Sequence, residues 1–195
     1  MPPIVRFSRE AVLDAAYQLI RREGPSALNA RAVAKELGGS TQPIFRLFSG
    51  MDELKQAVTE MTLSLWKASL QERLQTSAFP YLTIGMSFLL FARDEPELFK
   101  LLFMRDRVSD GSCTDYNVDF AIPLIENSVK VDVETARKLY ERNWFFCYGL
   151  AVSIATKYIP CMSECHMRQL LVESLQGAAL QLGVELPTID QCKDI

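Results

Sequence analysis

The chain has 195 residues, 49% apolar and 23% charged, with a net charge of −3. That length suffices for one sizeable core or for a small module joined to a larger one, and the composition excludes disorder. Five cysteines at irregular positions exclude a disulfide framework, and the opening MPPIVRFSRE lacks the basic-then-apolar pattern of a secretion signal. The charge is unevenly spread. Residues 1–50 carry seven basic side chains (Arg6, Arg9, Arg21, Arg22, Arg31, Lys35 and Arg46) and four acidic ones (Glu10, Asp14, Glu23 and Glu36). Their balance of +3 leaves −6 for the remaining 145 residues. A basic head on an acidic body directs an anionic partner to one end.

Helical periodicity runs through nearly the whole chain, which predicts an all-α fold. The first helix is expected from Ser8 to Glu23, with Ser8 as N-cap and Val12, Leu13, Ala16, Leu19 and Ile20 at three-four spacing. Gly24-Pro25 ends it. A short second helix follows, capped by Asn29, with Ala32, Val33 and Leu37 facing inward. Gly38-Gly39 breaks it, and Ser40 is expected to cap a third short helix through Phe48. Ser49-Gly50 then leads into a long helix over 52–75. Further helices are predicted at 79–94, 96–105, 117–130, 133–159 and 164–182, with breaks at Pro96, at the polar stretch Ser109–Asn117 and at Pro160. The apolar stretches 79–92 and 144–159 fall short of the roughly 20 residues that a membrane span needs. They read as buried helices, and a cytoplasmic location is expected.

Two short helices joined by a glycine-containing turn form a helix-turn-helix, whose second helix enters the major groove of DNA. LNARAVAKELGGSTQPIFRLF, residues 28–48, meets its requirements together. Ala34 is small enough for a close helix crossing, Gly38 can take the positive φ that ends a helix, and Ser40 can start the next one. Capped by Ser40, Pro43 would stand at the third helical position and remove no helix hydrogen bond. Thr41 and Gln42 would then be presented at the helix tip, where Gln pairs with adenine and a Thr methyl touches thymine. Helix-glycine-helix segments also occur as plain structure in all-α proteins, so geometry alone leaves both readings open.

Residues 8–54 resemble the DNA-binding domain of the TetR family. The resemblance rests on Ala15-Ala16, Gly24, Arg31-Ala32-Val33-Ala34, Gly38-Gly39-Ser40, Ile44-Phe45-Arg46-Leu47-Phe48 and Leu54. It implies an all-helical homodimer with one helix-turn-helix per subunit, and release from an operator when a ligand enters the C-terminal core. Four positions depart from the family pattern. Gly39 replaces a frequent apolar residue, Phe45 a phosphate-contacting Tyr, Leu47 a frequent His, and Met51 the usual Lys. Asn29, Arg31, Arg46 and backbone amides at helix starts are therefore expected to carry more of the phosphate binding. The expected DNA-binding set is Asn29, Arg31, Ser40, Thr41, Gln42, Pro43, Phe45 and Arg46.

Residues 91–104 and 144–155 resemble segments of TetR-type regulators more faintly. An expected division places the helix-turn-helix in 1–50 and a helical ligand-binding and dimerisation region in 51–195. Met86, Phe88, Phe91, Phe99, Phe103, Met104, Trp144, Phe145 and Tyr148 are candidates for a pocket that takes an apolar or aromatic ligand, or else simply fill the core. Gly149, Ser153 and Thr156 line one face of one late helix, and Ser174, Gly177, Ala178 and Gln181 one face of the next. Small residues at that spacing suit a four-helix dimer interface, or close packing within one subunit.

Cys161, Cys165 and His166 lack standard zinc spacing, so no metal and no cofactor is expected. No nucleophile–base pair, phosphate-binding glycine loop or HExxH motif is present, and the chain reads as a non-enzyme. The leading expectation is a ligand-released transcriptional repressor that binds double-stranded DNA as a homodimer. The alternative is a helical small-molecule carrier or a protein-binding adaptor without DNA binding.

Overall fold

A computed structural model describes residues 7–106 and 118–187, with Phe120 given by its backbone only. The expected polar break at Ser109–Asn117 and the charge of Arg6 lie outside the described residues. Helices α1 (Arg9–Glu23), α2 (Ala30–Glu36), α3 (Gln42–Leu47), α4 (Met51–Gln75), α5 (Pro80–Asp94), α6 (Pro96–Phe103), α7 (Val118–Ile125), α8 (Val133–Ala155) and α9 (Glu164–Leu182) follow in order. A 3₁₀ turn, Pro25–Ala27, precedes α2, and a π turn, Glu126–Lys130, follows α7. There is no strand among the described residues, so the fold is all-α.

Among these residues the chain clusters into two compact units. The first takes the segments through Lys67 together with Glu95–Arg105; the second takes Ala68–Asp94 and the residues from Asp106 onward. Packing thus groups more of the chain with the helix-turn-helix than residues 1–50, and α4 contributes to both units.

The first unit is organised around α1, which packs on α2, α6 and the 3₁₀ turn. Ser8 accepts the N–H of Ala11 at 3.1 Å and caps α1. The predicted stripe of α1 buries Val12, Ala16, Leu19 and Ile20, while Leu13 is half-buried. Arg21 grips the Glu95 carboxylate with two donors at the start of α6. Phe103 of α6 meets Trp66 of α4 edge-on at 5.5 Å and Phe99 at 5.2 Å. These contacts explain why α6 joins this unit.

The second unit packs α5 on α8 and α9, α8 on α9, and α7 on α5 and α8. Nearly all of α5 from Tyr81 to Leu90 is buried, as its continuous apolar run requires. Asp132 caps α8 by accepting the N–H of Thr135 at 2.9 Å, and Ser163 caps α9 by accepting that of His166 at 3.2 Å.

Two sequence expectations shift. The helix predicted over 133–159 ends at Ala155. Lys157 takes a left-handed φ of 59°, and the Ile159 N–H bonds back to the Ser153 carbonyl at 3.1 Å. The helix predicted over 117–130 is α-helical through Ile125 and continues as the π turn. No helix among the described residues is long and apolar enough to cross a membrane.

Candidate nucleic-acid interface

The turn between α2 and α3 is fixed by backbone hydrogen bonds. Asn29 caps α2 and ties it to the preceding turn: its Oδ1 accepts the Ala32 N–H at 3.0 Å, and its Nδ2 donates to the Ala27 carbonyl at 3.0 Å. At the other end, the Gly38 N–H reaches the Lys35 carbonyl at 3.1 Å and the Gly39 N–H the Ala34 carbonyl at 3.0 Å. That pair of bonds is the Schellman closure, and it sets Gly38 at a φ of +66°. Gly39 answers a second requirement. A Cβ there would stand 2.9 Å from Cε2 of Phe7, so the residue is small because an aromatic ring lies over it.

The start of α3 corrects one expectation. Its N-cap is Thr41 rather than Ser40, and the Thr41 side chain makes no capping bond. The helix starts at Gln42, which places Pro43 in the first turn, one position earlier than expected. Pro43 still removes no helix hydrogen bond, since N–H groups in the first turn have no intrahelical acceptor. Ser40 is exposed and outside the helix.

On α3, Ile44 is fully buried and Phe48, just beyond the helix, nearly so. Their spacing of four turns Gln42, Phe45 and Arg46 outward; all three are exposed, Phe45 by 55%. Phe7, Gly38, Gly39, Ser40, Gln42, Pro43, Phe45 and Arg46 line an open depression of about 800 Å³. Phe7 was absent from the sequence-derived set. The signal for it was an aromatic residue next to the cap of α1, where apolar side chains commonly anchor the entering chain.

Ion pairing sorts the cations of this unit. Arg9 pairs with Glu53 at 2.9 Å and lies 4.3 Å from the centroid of the Phe48 ring. Arg21 pairs with Glu95, and Arg22 with Glu23 and Glu36. Arg31, Lys35 and Arg46 are exposed and form no ion pair among the described residues. Glu53 also accepts the Ser49 N–H at 2.7 Å, and this bond with the Arg9 pair holds its carboxyl below the usual range.

A helix-turn-helix whose second helix stands out, beside cations that form no ion pair among the described residues, is the geometry of a DNA-binding module. Residues 12–58 match the family model of bacterial regulatory proteins of the tetR family. No curated protein matches the chain. The match covers the helix-turn-helix segment and supports a DNA-binding transcription regulator of the TetR type.

The remaining candidates fall in different places. Phe99, Phe103 and Met104 cluster with the first unit; Phe99 and Phe103 are buried and Met104 is exposed. In the second unit Met86 and Phe88 are buried, Phe91, Trp144 and Tyr148 half-buried, and Phe145 is 67% exposed. Phe88, Trp144 and Tyr148 are brought together, with centroids 5.0 Å apart for Phe88–Trp144 and 6.0 Å for Trp144–Tyr148.

A small cavity beside these rings is lined in part by Tyr81, Tyr140, Asn143 and Cys147, which the aromatic and methionine pattern did not single out. Asn143 could have been found as the polar member of a buried stripe, four residues from both Leu139 and Cys147.

Gly149 and Gly177 are exposed, and a Cβ added at either would meet nothing within 4 Å. Ser153 and Thr156 bond back to the Gly149 and Val152 carbonyls at 2.8 and 2.7 Å. Ser174 is half-buried, Ala178 buried, and Gln181 accepts from Arg142 at 3.0 Å. Cys161, Cys165 and His166 are all exposed.

Proposed function

We propose that this regulator is a homodimeric, cytoplasmic repressor that a small apolar or aromatic molecule releases from its operator. The observation that carries the reading is the outward face of α3, where Gln42, Phe45 and Arg46 are exposed over a buried Ile44 and Phe48. In this reading Thr41 and Gln42 meet base edges, with Gln42 paired to an adenine. Ser40, Pro43 and Phe45 pack against the sugar-phosphate backbone. Arg31, Lys35 and Arg46, which form no ion pair among the described residues, neutralise phosphates, and the N-terminal turn that Asn29 caps offers amides to another.

Dimerisation uses α8 and α9. Gly149, Ser153 and Thr156 on α8, and Ser174, Gly177, Ala178 and Gln181 on α9, let helices of two subunits approach closely. The exposed Phe145, Phe146 and Leu180 add apolar area that a monomer leaves in water.

Ligand response is a population shift. Effector bound among the aromatic side chains of the second unit favours a spacing of the two recognition helices that no longer matches successive major grooves, roughly 34 Å apart. α4 is the lever, because one unbroken helix contributes to both compact units. Gel shift and footprinting test the reading: sequence-specific protection without ligand supports it, and its absence overturns it. Removal of residues 1–50 is expected to abolish DNA binding and leave the dimer.

A further inference from the structure

The two consecutive glycines between α2 and α3 differ in what they require. Gly38 takes a φ of +66°, and a Cβ added there would meet nothing within 4 Å, so backbone conformation alone calls for glycine. Gly39 is the reverse. Its φ is not positive, so its backbone is open to residues with a side chain. What an added Cβ would meet among the described residues is the Phe7 ring, with Cε2 at 2.9 Å and Cζ at 3.4 Å.

The Gly38 N–H donates to the Lys35 carbonyl, the Gly39 N–H to the Ala34 carbonyl, and the Ile44 N–H to the Thr41 carbonyl. Gly38, Gly39 and Ser40 are exposed, so water competes for the bonds of the turn. Two glycines in succession also gain more conformational freedom on opening than other residues would. Phe7 approaches this stretch from α1. It precedes Ser8, whose hydroxyl caps that helix by accepting the Ala11 N–H, and its half-buried ring covers a segment with no side chain of its own. Phe7 and Gln42 line the same open depression, which puts the ring and the tip of α3 on one surface.

We propose that Phe7 is a positioning residue for α3: its ring, seated on Gly39, holds the turn closed and fixes the helix tip from which Gln42 projects. The biological meaning rests on the DNA-binding reading, whereas the seat itself is measured on the free protein. One substitution should change sign with the residue at position 7. With the ring present, the methyl of Gly39→Ala displaces it; the ring is the movable end of a side chain, so the fold survives and the seat is lost. With the ring gone, the same methyl has room and restrains a glycine that needs no left-handed φ.

Amide hydrogen exchange on the unmodified chain, Phe7→Ala, Gly39→Ala and the double variant reads the turn directly. Phe7→Ala should lower the protection of the residue 38 and 39 N–H groups about tenfold, the worth of uncovering a half-buried ring. The N–H groups of the buried Leu19 and Ile20 in α1 should keep theirs. Gly39→Ala should lower protection at Gly38 in the unmodified chain, yet raise it about two- to fivefold in the Phe7→Ala background. DNA affinity should follow the same reversal, with an unchanged slope of log affinity against log salt because no cation is removed.

An effect of Gly39→Ala with one sign in both backgrounds overturns the proposal. So does a loss of protection at Leu19 and Ile20 equal to that in the turn, which would make Phe7 an ordinary packing residue. The DNA arm separates this proposal from the reading beneath it. Reversal in exchange without sequence-specific DNA binding keeps the seat on Gly39 and removes the DNA-binding reading. Sequence-specific binding that ignores Phe7→Ala keeps that reading and removes the role of Phe7.

Discussion

The outward face of α3 and the interior between α5 and α8 treat their functional side chains in opposite ways. On α3, Gln42, Phe45 and Arg46 stand in solvent, and the packing that positions them is left to Ile44 and Phe48. Between α5 and α8, the same side chain would serve both purposes: Phe88 is a core residue and a ring beside the cavity. Recognition and stability are therefore separable in the first region and entangled in the second.

The largest effect that sharpens this contrast comes from two phenylalanines three residues apart. Phe48→Ala should cost about 3–5 kcal/mol of unfolding free energy, because a buried aromatic leaves a cavity and Arg9 loses the ring beneath it. Phe45→Ala should change stability by less than about 0.5 kcal/mol yet weaken DNA binding; denaturant titration beside gel shift separates the two. A large stability loss from Phe45→Ala would break the comparison.

At the next scale, Gln42→Ala should lose about 1–3 kcal/mol of discrimination at one base pair, read by competition among single-base operator variants. Arg46→Ala should instead weaken binding evenly and reduce the slope of log affinity against log salt by about 1. Gly38→Ala forces a side chain into the left-handed region and should cost about 1–2 kcal/mol.

Thiol labelling tests the interior. Cys147, buried with its thiol raised to about 12, should resist alkylation until the second unit unfolds, whereas the exposed Cys161 and Cys165 should react in the native protein. Mass spectrometry of labelled peptides reads both, and fast native labelling of Cys147 would show that interior to be open.

The smallest effect is on pH. Glu53 and Asp132 titrate below their ordinary range because folded-state N–H groups bond their carboxylates. Their contribution to stability is complete above the ordinary carboxylate range and is lost as pH falls through the lowered folded values. Glu53→Gln should make stability less pH-dependent across that acid window, as followed by denaturant midpoints.

Local signals account for most of what the sequence made legible. Ser8 and Asn29 were recognised as caps because a cap depends on the few residues that follow it, and Gly38 because a Schellman closure needs a left-handed residue. The start of α3 lies one residue beyond the place its residue types indicate. Ser40 is the better cap by type, but the backbone bonds of the turn decide the boundary: the N–H groups of Ile44 and Phe45 both reach the Thr41 carbonyl. The end of α8 was misplaced because the apolar pattern runs on through Tyr158 and Ile159, whereas the left-handed Lys157 that ends the helix carries no sequence mark. At the candidate site, the exposure of Gln42 followed from its expected place at the tip of α3. The Tyr81–Asn143–Cys147 grouping did not, since it joins α5 and α8 across some 60 residues and only tertiary packing brings it together.

Selection from a library of randomised duplexes, with the full chain and with Gln42→Ala in parallel, tests the central claim most directly. A dimer presenting two α3 helices predicts enrichment of a two-fold symmetric site, its half-sites about one helical turn apart or a multiple of that. Gln42→Ala should relax one position in each half-site. Absence of enrichment, or an enriched site to which Gln42→Ala is indifferent, would contradict the assignment of sequence reading to the outward face of α3.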